Sequence, residues 1–451
     1  MKILTKKYQM FLYAAAGMGL NMLNLMFNSY LCSALLVGGF GESAVKNQTF
    51  VGNDLVIAGT WAVLALIAKI VDGVIDIPMA SFADRLKTRF GRRRPAILIG
   101  FVPTVVFYAL FLIVPKPTAS LLNTVYYGII LCLYYASYTL TMVTYYATFT
   151  EIVDTVEKRN LISNVKSFFD IVYFTLGYVV VPLMLKGMNV RKVAILLLPM
   201  AATMLIPLFM IREPSNLGEE NTDAPKTVNL IASLRCSFRN RDFILWMIVY
   251  SFMTFGVQLF LGGINEYFSK VGLSMMIVMS CAFGPVPLTL WMYNRILRKK
   301  GFGYAFRYIL ITYSVSMLYI FTVGLLLYKN VIAAGALKTV LTIAGGLSAS
   351  LSIGAMFAVA YAVPAQLAAD EQKKTGVSNS AMYFAVQGLF SAVATGIGTA
   401  VVLTALKGTQ EHPTDAMVYM TAISAAGTLL SLLLTKWLPK SVLLMGKKNK
   451  D

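Results

Sequence analysis

Apolar runs long enough to cross a bilayer recur along the whole chain, and nothing else in the sequence limits its fold so strongly. They fall at about 10–38, 53–81, 95–115, 119–149, 162–186, 191–211, 241–268, 272–293, 303–328, 331–363, 378–406 and 414–438. Each reaches or exceeds the roughly 20 residues that a helix needs to span ~30 Å of hydrocarbon. No water is present there to satisfy backbone N–H and C=O groups, so a spanning segment of this kind must bond internally. The chain is expected to be an all-α membrane protein with twelve transmembrane helices.

Composition agrees. Only 13% of the 451 residues are charged and 58% are hydrophobic, against about 25% charged in soluble domains. The first run, Tyr8–Val37, is too long for a signal-peptide core and has no small-residue cleavage site before its polar flank. The net charge of +19 would suit nucleic acid in a soluble protein. Here no basic segment lies in a soluble domain, and Lys and Arg gather in cytoplasmic loops of membrane proteins, so no nucleic-acid partner is expected. Cys32, Cys132, Cys236 and Cys281 form no C-x-x-C pair, and His412 is the single histidine. Neither a disulfide framework nor a metal centre is expected. With no nucleophile–base pair and no nucleotide-binding loop, the chain is not expected to be an enzyme or to carry a cofactor.

The basic residues also set the orientation. With the amino terminus in the cytoplasm, the inside segments hold 29 of the 39 Lys and Arg, nine fall outside, and Lys69 lies within a span. This bias places both termini in the cytoplasm of a plasma-membrane protein. The longest polar connection is Arg212–Asn240, which contains Pro214, Gly218 and Pro225. It divides the chain into an amino-terminal six-helix bundle (1–211), a central cytoplasmic loop (212–240) and a carboxy-terminal six-helix bundle with a tail (241–451). Two such halves match major facilitator transporters, whose halves are pseudo-symmetric. The halves also rhyme. Asp84-Arg85 and Gly91-Arg92-Arg93-Arg94-Pro95 follow the second span, and Asn294-Arg295 and Arg298-Lys299-Lys300-Gly301 follow the eighth.

Three ionisable residues interrupt the second span. Lys69, Asp72 and Asp76 are spaced i, i+3 and i+7, which puts them on one helix face. A charge at mid-bilayer costs roughly 2.5–3.5 kcal/mol, so such groups face a protein interior or an aqueous cavity and mark an ion or substrate path. Two carboxylates one turn apart can hold a small cation, Na⁺ or a proton, and Lys69 can neutralise them when the site is empty. The alternative is a salt bridge that only joins helices.

Further polar residues follow the same logic. Asn21, Asn24 and Asn28 form a stripe on the first span; asparagine offers both donors and acceptors to a hydroxyl-rich solute, or bonds another helix. Tyr127, Tyr134, Tyr138 and Tyr145 line the fourth span with Thr141, where rings bearing hydroxyls suit sugars, core packing or an interfacial belt. Lys166 and Asp170 on the fifth span can pair or reach the cavity. The loop Asp84–Pro95 reads as a cytoplasmic gate, with Asp84, Arg85, Arg92 and Arg93 as its charged members, or as a cluster that sets topology. Gln258, Asn265, Asn379 and Gln387 are weaker candidates, and Glu266 is expected to be solvated at the outer end of the seventh span.

The stretch Lys69-Ile-Val-Asp72-Gly-Val-Ile-Asp76, followed by Asp84-Arg85-Leu-Lys-Thr88-Arg89-Phe-Gly91-Arg92-Arg93-Arg94-Pro95, resembles the glycoside–pentoside–hexuronide:cation symporters of the major facilitator superfamily. Thr150-Glu151, Lys158-Arg159, Lys166 and Arg239-Asn240-Arg241-Asp242-Phe243 extend the resemblance over most of the chain. It implies that Asp72 and Asp76 bind the coupling cation, H⁺ or Na⁺, with Thr139 as a further oxygen ligand. It implies a sugar site at Asn21, Met142, Tyr146 and Lys166. Asn21 and Met142 stand where the family's sugar carriers have carboxylates, Tyr146 where they have tryptophan, and Lys69 where they have arginine. Ile75 occupies a place where a sodium-using relative has asparagine. The resemblance thus implies a monomeric, cation-coupled symporter of a sugar, glycoside or similar polar solute, in contact with membrane lipids. A non-sugar, amphipathic or lipid-like substrate is the alternative.

Overall fold

The computed structural model describes residues 4, 6–153, 156–215, 240–332, 335–375 and 380–445, and it contains no strand among them. Among the described residues, nine segments are long and apolar enough to cross a membrane: Lys7–Leu35 (α1), Arg93–Phe111 (α3), Leu121–Phe149 (within α4, Leu121–Glu151), Val190–Met210 (α6), Arg241–Val271 (α7), Phe302–Tyr328 (α9), Ala336–Met356 (within α10, Ala336–Thr375), Val386–Lys407 (within α11, which begins at Ser380) and Ala416–Trp437 (α12). Met275–Phe283 and Val286–Lys300 form a tenth, α8, bent by 45°.

Two further helices complete the expected twelve among the described residues. These are Ala58–Arg85 (α2) and Val156–Thr175, which runs on through Leu176–Val180 to Met184 (α5). At 28 residues, α2 is about 42 Å long and exceeds the hydrocarbon core. Apolarity alone does not single out α2 and α5, and these two carry Lys69, Asp72, Asp76, Lys166 and Asp170.

The chain forms two compact units, Met1–Val37 with Val45–Lys226, and Gly38–Ala44 with Thr227–Asp451. Most of the expected central loop lies outside the described residues. The first unit is built around α3, α4 and the first helix. Gly100 permits the close approach of α3 to α4, since a Cβ there would lie 2.4 Å from Thr141 Oγ1 and 2.8 Å from its backbone nitrogen. Phe27 stacks on Tyr134 at 3.9 Å and meets Phe111 at 4.4 Å, so the inner rings of the tyrosine face serve packing. Tyr127, Tyr134 and Tyr145 are fully buried.

In the second unit, α7 lies against α12 through small and hydroxylated residues, as helices in lipid commonly do. Ser424 donates to the Gly256 carbonyl at 2.7 Å and Ser431 to that of Val249 at 2.8 Å. Asn240 caps α7 by accepting from the Asp242 and Phe243 amides, which gives Asn240–Phe243 a local role.

The repeat is visible in the backbone. Gly91 before α3 and Gly301 before α9 both take left-handed conformations, with φ of +80° and +86°. Each is met by the segment that leaves its own unit's sixth helix. Glu213 lies against Gly91, and Leu443 lies against Gly301. The fifth helix of each unit also contains a π-helical turn, Leu176–Val180 in α5 and Ile397–Val402 in α11.

A polar chain in the first unit

Along α2, Val63, Ile67 and Val74 form an exposed apolar stripe. At 100° per residue, Lys69, Asp72 and Asp76 point about 180–240° away from it. One helix therefore presents a lipid-compatible face and an opposite ionisable face. Asp76 is exposed on that face and Asp72 is half-buried. Thr139 of α4 stands near Asp76, and the two carboxylates are within electrostatic reach of each other. Asp72, Asp76 and Thr139 thus supply oxygens from adjoining helices.

Lys69 links this group to α1. Its ammonium stands 3.6 Å from Asp72 Oδ2 and donates to Asn28 Oδ1 at 3.0 Å. It also lies 4.1 Å from the centre of the Tyr135 ring, whose hydroxyl donates to the same Asn28 oxygen at 2.6 Å. Asn28 in turn donates to the Asn24 side-chain oxygen at 2.9 Å. The backbone of α1 widens into a π-turn over Phe27–Leu31, where Asn28 sits; π-turns often mark functional positions. Next to it Tyr30 donates to the Gly177 carbonyl at 2.6 Å, within the π-turn of α5.

The chain continues through Asn21. Tyr138 donates to Asn21 Oδ1 at 2.8 Å and also contacts Asn24. Asn21 donates to the Tyr146 hydroxyl at 3.3 Å, and the Tyr146 ring lies 5.1 Å from the Lys166 ammonium. Lys166 pairs with Asp170 at 2.6 Å. Tyr173, one turn on, is within electrostatic reach of Asp170, Tyr138 and Tyr146.

Of the residues named from sequence, Asn21, Asn24, Asn28, Lys69, Asp72, Tyr138, Tyr146 and Lys166 join in this chain, and Asp76 with Thr139 stands at its end. Met142 does not join it: it is 4% exposed and packs at Gly17. Tyr135 and Tyr173 belong to the group and were not singled out. Aromatic residues occur at nearly every turn of α4, and periodicity cannot tell which ring faces an ammonium.

In the α2–α3 loop, Arg93 is buried and its amide donates to Glu213 Oε2 at 2.8 Å, while Arg85 and Arg92 are exposed. The side chain of Asp84 lies outside the described residues, as does Asn379. Glu266 differs from expectation. It is fully buried and ion-paired with Lys407 of α11 at 2.9 Å, and the connector after α1 packs on Lys407 through Phe40 and on α7 through the Gly41–Ser269 bond.

No curated protein matches the chain. Among solved structures it is similar to a mutant form of the nucleoside transporter NupG, with a TM-score of 0.65 and 12% identity over 96% of this chain and 100% of that one. The D-xylose-proton symporter gives 0.62 and 16% over 98% and 99%. An inward-open xylose transporter XylE from E. coli gives 0.56 and 14% over 96% and 97%. At these identities the likeness is one of fold. The family model described as MFS/sugar transport protein matches residues 12–438. With a match of that extent, the chain is an integral membrane protein of the major facilitator superfamily and belongs to the MFS/sugar transport family.

Proposed function

We propose that this chain is a secondary active transporter that couples a cation, H⁺ or Na⁺, to symport of a sugar, glycoside or similar polar solute by alternating access. The observation that carries this reading is the continuous polar chain from Asp76 and Asp72 through Lys69 and Asn28 to Asn21, Tyr146 and Lys166. One end offers two carboxylates and a hydroxyl to a cation. The other offers amides, phenols and an ammonium to hydroxyl groups, with half-buried rings of Tyr138, Tyr146 and Tyr173 beside them. Paired carboxylates inside a membrane span are costly. A bound cation neutralises them and lets the loaded carrier reorient. Moving one charge through 100 mV supplies about 2.3 kcal/mol, nearly a fiftyfold gradient. In this reading both termini are cytoplasmic, the monomer is the working unit, and Asp84, Arg85, Arg92 and Arg93 form the cytoplasmic gate.

The decisive experiment is uptake of labelled sugars, glycosides and nucleosides into proteoliposomes under separate Na⁺ and H⁺ gradients. One gradient should drive accumulation of a polar solute, and neither should do so in Asp76→Asn. Equal accumulation by that variant sinks the coupling role. A second reading is favoured by the ring-lined wall of Tyr138, Tyr146, Tyr173 and Phe174, the last two stacked at 4.6 Å: an amphipathic substrate. Thermal stabilisation by amphiphiles and not by glycosides selects it.

A further inference from the structure

Glu266 and Lys407 take no part in the polar chain. They belong to the second unit and form an ion pair of 2.9 Å, with side-chain exposures of 0% and 4%. The second carboxylate oxygen of Glu266 is buried with no hydrogen-bond partner. Burying two charges costs several kcal/mol per ion, and apolar residues of equal volume usually stabilise a fold as well or better. An ion pair kept at full burial with one oxygen unsatisfied is therefore a poor structural choice.

What covers the pair is unusual. The seven-residue segment Gly38–Ala44 groups with the second unit, although the chain on both sides of it belongs to the first. The Phe40 ring, 6% exposed, lies 5.0 Å from the Lys407 ammonium. Gly38 and Gly39 permit the close approach. A Cβ on Gly38 would lie 2.4 Å from the Lys407 carbonyl oxygen, and Gly39 has φ of +88° with its Cβ position 3.0 Å from Lys407 Cγ. The Gly41 amide then donates to Ser269 Oγ at 3.0 Å, one turn beyond Glu266 on α7. The segment follows a span that begins at the amino terminus, so it lies on the membrane face opposite that terminus.

We propose that Gly38–Ala44 is a movable strap over the Glu266–Lys407 pair, and that the pair sets how readily the strap lifts. With the strap down, the pair bears its desolvation cost. With the strap up, water reaches the pair and the cost is relieved. The charges thereby oppose permanent closure, and a glycine-rich strap that meets the second unit through the Phe40 ring and the Gly41–Ser269 hydrogen bond can yield. The strap acts in this way whichever solute or cation the protein carries.

Hydrogen–deuterium exchange of the full-length protein in lipid nanodiscs, read on peptides covering 38–44, tests it. In the double variant Glu266→Met with Lys407→Met the desolvation cost is gone, so the strap amides exchange about tenfold more slowly or less still, with a melting temperature no lower than that of the parent. In Lys407→Met alone an unpaired carboxylate is left buried, and the same amides exchange faster. Wild-type or faster exchange in a folded double variant overturns the proposal. Ser269→Ala leaves the pair intact and removes the Gly41 tether, and serves where the double variant does not fold: faster exchange confined to 38–44 supports the strap, and unchanged exchange there overturns it.

Discussion

The ammonium of Lys69 donates to the amide oxygen of Asn28 across 3.0 Å and so ties the carboxylate helix α2 to the asparagine stripe of α1. The same ammonium faces Asp72 at 3.6 Å. A group that touches both a carboxylate of α2 and an asparagine of α1 can transmit the state of one to the other. Hydrogen bonds to a charged group contribute about 1.5–3 kcal/mol. Lys69→Gln is therefore expected to weaken solute binding by roughly tenfold or more, and to reduce the dependence of that binding on the cation. Tyr135→Phe keeps the ring under the ammonium and loses only its 2.6 Å bond to Asn28, so its effect is smaller. Titration calorimetry with and without saturating cation measures both; cation dependence unchanged in Lys69→Gln rejects the linking role.

Asp76 and Thr139 give a separable prediction. The threonine hydroxyl stands near the carboxylate and can offer its oxygen to a bound ion. Asp76→Asn keeps the side-chain volume and removes the charge that a cation would neutralise in the proposed coupling. Gradient-driven accumulation should vanish while counterflow exchange, which needs no net cation movement, persists in part. Thr139→Val, nearly isosteric, should raise the cation concentration needed for half-maximal uptake without abolishing it. Uptake and counterflow in the same proteoliposomes decide; loss of both in parallel, with solute binding also lost, points to a structural role for Asp76.

The spans and the paired carboxylates were legible because each follows from short-range spacing. An apolar run states its own length, and Asp72 with Asp76 at i, i+4 must share a face. The partners of those residues were not. Tyr135 and Tyr138 lie three residues apart on α4, and both contact asparagines of α1, but only helix packing selects them from the seven tyrosines from Tyr126 to Tyr146. Met142 was placed by resemblance, and the rotation of α4 buries it. Glu266 looked solvated because it stands near a helix end, and a charge near an end is ordinarily free to reach water. Its partner Lys407 comes from α11, and a glycine-rich connector distant in sequence packs on that lysine, an attachment that leaves no periodic signal.

Gly91 and Glu213 make the α2–α3 loop a test of stability apart from transport. The Arg93 amide donates to Glu213 Oε2 at 2.8 Å, so Glu213 satisfies one of the free N–H groups at the start of α3. Glu213→Ala should cost about 1 kcal/mol, the usual effect of losing an N-cap. Gly91→Ala should cost more. Its φ of +80° is strained for alanine, and a Cβ would lie 2.3 Å from Glu213 Cβ; the left-handed conformation alone costs about 1–2 kcal/mol. Thermal melts in detergent should rank parent, Glu213→Ala and Gly91→Ala in falling order, and a melting temperature for Gly91→Ala equal to the parent contradicts the geometry.

Asp415, just ahead of α12, supplies the pH dependence. Its carboxylate accepts from the Tyr328 hydroxyl and from Lys270 Nζ, the latter at 3.0 Å, and these bonds hold it below the usual carboxylate range. A carboxyl group with a depressed value in the folded state adds stability that is present above its unfolded value, near pH 4, and lost as pH falls through the folded value. The side chain is 67% exposed, so screening by water keeps the contribution small. The expected result is local: amides around 409–415 exchange faster once the medium falls below about pH 4, after correction for the intrinsic pH dependence of exchange. In Asp415→Asn they are already loosened at pH 7 and show no further acid-induced change. An acid-induced change of equal size in parent and variant assigns the effect to another group.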